Sequence, residues 1–359
     1  MNKSVLIVSY VPPYNRQGYD LAVCLRRQGY DVRLFQMDGK SDEKNGISGV
    51  RCIKPHGRLH KFQMVRNFAV FLLRTMFLRK QIVVCVGRPM LILGGLYHLI
   101  FGSKLIWYSL EYSKLGRIDR FVYRHCVKGY IDVEENRRDA IFAHYGAKDI
   151  SLVCHNMPHL MPVPPKGGML REYLNVKYGV SAETKIVIYA GSFQTYAQLH
   201  NIVAASRKFP ETCRLVLMAF GLPENLTAGS ANCIVVPPVR GEEFYEWVSD
   251  ADCALLPYEN DSDFNVLNCS PQKLFDCYAV GIPFVASDRP IIRKVLHEYS
   301  DAGAVCNFRD ISDIVAKTVE VLQRKAHVGE KMRSLHKERF NYDSLSPLIE
   351  SMMEKVYAK

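Results

Sequence analysis

The sequence predicts an α/β protein made of two doubly wound, Rossmann-like domains that face each other across a cleft. Three observations carry this expectation. Short apolar runs alternate with runs of helical period along nearly the whole chain. The alternation halts at residues 157–170, "MPHLMPVPPKGGML", which hold four prolines and two glycines, and then restarts. At 359 residues the chain also exceeds the length at which one hydrophobic core usually stops growing.

The elements follow in order. "SVLIVSY" (4–10) is a short apolar strand, and a Pro/Asn/Gly-bearing loop follows it. "YDLAVCLRRQGY" has helical spacing and ends near Gly29, and "DVRLFQM" is the next strand. Strand, helix and strand in this succession form the unit of a parallel sheet. Further units are a strand at Ile82–Val86, a helix at Pro89–Phe101 and a strand at 104–109. "KGYIDVEENRRDAIFAHYG" and "ISLVCHNMP" continue the alternation. Beyond the break come "KIVIYAG", "LHNIVAASRKF", "CRLVLMAFG", "ANCIVVPPV", "GEEFYEWVSDA", "CALLPYE", "SPQKLFDCYAVG" and "PFVASD", in strand and helix patterns. Residues 311–357 are charged and helical in pattern. The expected organisation is a first domain at 1–156, a linker at 157–170 and a second domain at 171–340. A terminal helix within 341–359 is expected to pack back on the first domain.

Composition narrows the function classes. A hydrophobic content of 48% belongs to a globular protein rather than a disordered one. The 11 cysteines are scattered, none in a C-x-x-C pair, as in a reduced cytoplasmic chain. No metal-ligand spacing is present, so metal-independent chemistry with no cofactor is expected. The apolar part of "MNKSVLIVSYVPP" is too short for a signal peptide. The apolar region 89–108 is too interrupted to span a bilayer, which needs about 20 mainly apolar residues. Residues 1–170 carry 26 Lys and Arg against 12 Asp and Glu, whereas the remainder carries 21 against 24. No acid occurs between Glu43 and Glu111. A basic half suggests an anionic partner. No nucleic-acid-binding motif accompanies it, so phosphate-bearing substrates and anionic membrane rank first. Neither half has a full G-x-G-x-x-G fingerprint, which removes support for nicotinamide chemistry.

One stretch focuses the question of chemistry: "SPQKLFDCYAVGIPFVASD", residues 270–288. Ser270 is a favourable N-cap and Pro271 suits the first helical position. Gly281 can close the helix in a left-handed conformation. Lys273 then falls beside the free N–H groups of the first turn, where a cation is disfavoured by about 0.3–1 kcal/mol. A bound phosphate would reverse that sign, with N–H groups and ammonium converging on it. The alternative is a solvated lysine paired with Asp276, a contact of about 0.2–0.5 kcal/mol.

Four segments together resemble the retaining glycosyltransferases of the GT-B fold, in particular their family 4-like group. They are "IWYSLEYS", "VEENRRDAIFAHYGAKDISLVCHNMP", "VSDADCALLPYE" and the 270–288 stretch. The likeness runs through nearly the whole chain, and the last two segments are the more specific. The resemblance implies a nucleotide-sugar donor held mainly by the second half and an acceptor held mainly by the first. It also implies two acids, separated by seven residues, lining the donor site. Here those positions are Asn268 and Asp276, so the first is an amide. The arginine and lysine that usually follow the first strand of the second half are absent from "AGSFQTYAQLH", where Gln194 or His200 could substitute. Lys273 therefore becomes the leading candidate for the diphosphate.

Sugar transfer must neutralise a departing diphosphate, orient an oxocarbenium-like sugar and place an acceptor hydroxyl. The first task is electrostatic and is usually the largest. Lys273 is assigned to it, with Gly191 and Ser192 allowing close backbone approach to the donor; for Gly191 a simple turn is the alternative. Asp276 is assigned to the ribose hydroxyls, or else to an ion pair with Lys273. Asn268 and Ser270 are placed near sugar or phosphate, or else cap loops. Glu259 either reaches the cleft or is a strand-end surface acid. In the first half, Gly18 would admit the donor and Arg16 would meet phosphate, acceptor or solvent. Glu111, at a strand's carboxyl end, would bind an acceptor hydroxyl or act as a base, or is structural. The basic run at 60–80 either lies on an anionic membrane surface or is core. Membrane contact would suit a saccharide acceptor carried on a polyprenyl diphosphate, in cell-surface polysaccharide synthesis at the inner face of the membrane. A nucleotide-sugar epimerase or hydrolase on the same fold, and a non-catalytic nucleotide-sugar-binding relative, are the alternatives.

Overall fold

The computed structural model describes residues 3–9, 16–36, 66, 69, 70, 73, 81–160, 168–227, 230–324 and 327–359. The chain divides into two compact units. Unit 1 comprises Met1–Asn156 together with Tyr342–Lys359, and unit 2 is Met157–Asn341. Most of the basic run at 60–80, the 10–15 loop and residues 161–167 fall outside the described residues, as does the Arg16 side chain.

Unit 1 is built on β1 (Ser4–Ser9), β2 (Asp31–Gln36), β3 (Ile82–Val86), β4 (Lys104–Tyr108), β5 (Val127–Asp132) and β6 (Ser151–Val153). Among the described residues they form one sheet in the order β2-β1-β3-β4-β5-β6, and every pairing is parallel. The strands read as unbroken apolar runs because both faces of the sheet are covered. Val5 and Ile7 enter one core cluster and Leu6 and Val8 the other, the two-residue alternation of a strand. Helices α1 (Arg16–Arg27), α2 (Pro89–Phe101), α3 (Arg117–His125) and α4 (Glu135–Tyr145) cover the sheet. The C-terminal helix Ser346–Ala358 completes the first cluster with Ile349, Met352, Met353 and Val356. Gly129 makes room for it, since a Cβ there would fall 2.8 Å from Met352 Cε.

Unit 2 contains β7 (Lys185–Ser192), β8 (Cys213–Phe220), β9 (Cys233–Val236), β10 (Cys253–Leu256), β11 (Phe284–Ala286) and β12 (Gly303–Val305). Their order is β12-β11-β10-β7-β8-β9, again all parallel. The helices are α5 (Met169–Tyr178), α6 (Leu199–Ser206), α7 (Glu242–Ser249), α8 (Phe264–Leu267), α9 (Gln272–Val280), α10 (Pro290–Glu298), α11 (Ile311–Leu322) and α12 (His327–Glu338). From β7 the chain builds the sheet outward through β8 and β9; from β10 it builds the opposite way. The carboxyl ends of β7 and β10 therefore flank a topological switch point, where open α/β sheets bind ligands. Gly281 ends α9 in the left-handed conformation, φ 74°, and any Cβ there would collide with the Gly329 carbonyl of α12.

Among the described residues no helix is long and apolar enough to cross a membrane.

Candidate functional site

The switch point of unit 2 gathers several of the residues singled out in the sequence. Gly191 and Ser192 end β7, Tyr258 follows β10, and Lys273 opens α9. A Cβ built on Gly191 would lie 2.3 Å from Lys273 Nζ and 2.8 Å from its Cε. The lysine thus reaches back from the helix start and rests against the backbone at the end of β7. No larger residue at 191 leaves it that position. Nζ also lies 4.4 Å from the centre of the Tyr189 ring and 5.9 Å from that of Tyr258. The Tyr258 ring is stacked on Tyr196 at 5.5 Å. Aromatic faces attract a cation but hydrate it poorly. Burial accordingly pushes the Lys273 ammonium down to about 8, while Asp276 and Cys277 oppose the fall.

The start of α9 differs from the expectation by one residue. Pro271 occupies the cap position and Lys273 is the second helical residue, with Ser270 buried ahead of it. The physical reason lies upstream. The short helix α8 ends at Asn268, whose backbone N–H and side-chain amide both donate to the Phe264 carbonyl. The chain then passes through Cys269 and Ser270, both buried, before α9 begins. Asn268 thus caps a loop, one of the two roles considered for it. Lys273 remains within the first turn, where N–H groups lack intrahelical partners.

Asp276 is buried and its Oδ1 accepts a 2.9 Å hydrogen bond from the Tyr245 hydroxyl of α7. Together with Lys273, Cys277 and Phe244 it lines a small space between α7, α9 and the sheet. Ser192 offers its carbonyl to the Tyr189 hydroxyl at 2.7 Å, which fixes the ring beneath the lysine. Gln194 is exposed, with its amide 3.4 Å from Ser192 Oγ, and His200 is exposed edge-on to Phe193.

Glu259 is a correction. It is neither a surface acid nor directed into open space. Its Oε1 accepts from Ser287 Oγ at 2.7 Å and from the Phe308 N–H at 3.3 Å. Ser287 in turn accepts from the Tyr258 N–H. The carboxylate ties the segments after β10, β11 and β12 together, so its role is structural.

In unit 1, Gly18 is accounted for by packing. A Cβ there would lie 3.2 Å from Ser9 Cβ and 3.4 Å from Val86 Cγ2, so the glycine seats α1 on β1 and β3. Glu111 is exposed just beyond β4. Among the described residues no group of three or more His, Cys, Asp or Glu is placed to hold a metal ion.

Sequence reasoning missed Tyr189 and Tyr258, the rings under the lysine. Tyr189 precedes Gly191 by two residues, and strand periodicity puts the pair on one side of the sheet. That spacing in "VIYAGS" was the available signal.

Comparison with known proteins agrees with this architecture. No protein-family model matches the chain. Sucrose-phosphate synthase from Thermosynechococcus elongatus superposes with a TM-score of 0.75, covering 99% of each chain at 13% identity. The fold is GT-B. The HepE protein of Anabaena, solved in complex with UDP-glucose, shares the GT-B fold at a TM-score of 0.73 and 11% identity, over 98% of this chain and 99% of its own. In sequence, a D-inositol 3-phosphate glycosyltransferase from Xylanimonas cellulosilytica is 25% identical over 211 residues, 55% of this chain and 48% of that protein. The match thus spans about half the length of that curated relative.

Proposed function

We propose that this protein is a glycosyltransferase that moves a sugar, with retention, from a nucleoside-diphosphate donor bound by unit 2 to a saccharide or lipid-linked saccharide acceptor. The observation that carries the reading is Lys273 resting against Gly191 at the switch point of a GT-B sheet. A partly dehydrated ammonium beside first-turn N–H groups suits the β-phosphate of a leaving nucleoside diphosphate. As the anomeric C–O bond stretches, negative charge grows on that phosphate, and the nearby cation stabilises the growing charge more than the ground state. Asp276 keeps one carboxylate oxygen on Tyr245 and, in this reading, turns the other toward the ribose diol. Ser192 and Gln194 fall beside the sugar or phosphate. The sequence relative is named as a glycosyltransferase, and HepE was solved with UDP-glucose; both support a nucleotide-sugar donor.

The reading is tested by titrating the purified protein with a panel of nucleotide sugars. Melting raised by at least one donor, and nucleotide release that requires an added acceptor, are expected. No thermal shift with any nucleotide sugar would overturn it.

A further inference from the structure

Among its described residues, unit 1 turns outward an apolar face. The 13 residues of α2 include no Lys, Arg, Asp or Glu, yet the helix is too short to cross a bilayer. Met90, Leu91 and Tyr97 pack inward. Ile92, Leu96, Leu99 and Ile100 recur at helical spacing on the outer side, with Leu99 62% and Ile100 57% exposed. α3 lies directly alongside, because a Cβ on Gly95 would fall 2.6 Å from Val122 Cγ2. It adds Ile118 and Phe121, 63% and 53% exposed. Both helices pack on the same core cluster, so their exposed side chains lie on the same side of the sheet. Single exposed apolar side chains are ordinary; a contiguous group on two touching helices marks an interaction surface.

The charge around this face selects its occupant. Arg117, Arg120 and Arg124 of α3 are exposed, and none forms an ion pair with a described residue. The helix's acid, Asp119, is buried and paired with Arg88 at 2.8 Å. Between residues 89 and 128 the only acids are Glu111 and Asp119. The partner must therefore be apolar at its centre and anionic at its rim. A second copy of the chain, meeting this face with its own, would bring three more arginines and only Asp119, already paired with Arg88, as the acid of its α3.

We propose that the outward face of α2 and α3 seats unit 1 on an anionic lipid bilayer. Leu99, Ile100, Ile118 and Phe121 enter the acyl boundary, and the α3 arginines meet lipid phosphates. None of its residues belongs to the basic run at 60–80. It deepens the lipid-linked form of the acceptor reading but does not rest on the donor site, so Lys273→Met keeps it.

Flotation of the full chain with phosphatidylcholine vesicles, with and without phosphatidylglycerol, tests the proposal. Wild type and Lys273→Met are expected to float only with phosphatidylglycerol present, and less as salt rises. Arg117→Gln/Arg120→Gln/Arg124→Gln should weaken that binding roughly a hundredfold. Leu99→Ser/Phe121→Ser should abolish it while leaving the melting temperature unchanged. The proposal is overturned if wild type stays with the unbound fraction, if either variant binds like wild type, or if Leu99→Ser/Phe121→Ser instead abolishes a concentration-dependent dimer.

Discussion

Lys273 stands over the ring of Tyr189, its Nζ 4.4 Å from the ring centre, although the two residues come from different elements of unit 2. The ring leaves the ammonium short of water, and the lowered Lys273 pKa follows from that burial. A cation held this way is prepared for an anion that brings its own charge. Donor binding and protonation of Lys273 are therefore linked.

The linkage predicts a pH dependence. Only the ammonium pairs with a diphosphate, so donor affinity should be level below pH 8. It should fall as pH rises through about 8, where free Lys273 loses its proton, approaching a tenfold loss per pH unit. Calorimetric titration from pH 6.5 to 9.5 would read it. The stability of the free protein runs the other way. The folded value lies below the ordinary 10.5, so the unfolded chain holds more protons between about 8 and 10.5, and this group's contribution to stability improves across that window.

Gly191→Ala should fold and bind donor at least tenfold more weakly. Its new Cβ meets the far end of a flexible lysine, which can swing aside, so the sheet survives while the cation leaves its place. Gly303→Ala is the contrast. There the Cβ would lie 2.5 Å from the Phe284 carbonyl oxygen on the neighbouring strand, and loss of folded protein is expected. Circular dichroism together with a donor titration separates the two outcomes.

Glu259→Ala should lower stability rather than turnover. It removes the acceptor for Ser287 Oγ and the Phe308 N–H. Hydrogen bonds to a charged group are worth about 1.5–3 kcal/mol. At about 2–4 °C for each kcal/mol, the melting temperature should fall by several degrees. The turnover of the remaining folded enzyme should stay within about twofold, measured well below the new midpoint.

Tyr245→Phe takes a donor from a buried carboxylate. A stability loss of about 1.5–3 kcal/mol is expected. Asp276→Asn restores a neutral partner in the same space and should cost less in stability, while weakening a nucleoside diphosphate more than inorganic pyrophosphate, which has no ribose. Thermal melts with both ligands would read the difference.

The alternation of apolar and helical runs was legible because strands covered on both faces leave an uninterrupted apolar signature, as in "SVLIVS" and "KIVIYA". Lys273 was legible for a local reason: a cation in a first helical turn opposes the dipole. What the sequence hid depends on contacts between distant residues. Glu259 looks like a strand-end acid until Ser287 and Phe308 are brought to it across the sheet, 28 and 49 residues away. The packing of Gly18 against Ser9 and Val86 is likewise hidden until β1 and β3 are brought beside it. The shift of the α9 start past Ser270 follows from α8, whose four residues are too few to show a helical period.

The central claim is that the ammonium of Lys273 holds the donor's diphosphate. Calorimetric titration of wild type and Lys273→Met with the nucleotide sugar that stabilises the wild type tests it most directly. The account predicts that the variant melts no lower than wild type, having lost a partly dehydrated charge, and binds the donor at least a hundredfold more weakly. Equal donor affinity in the two proteins would contradict it.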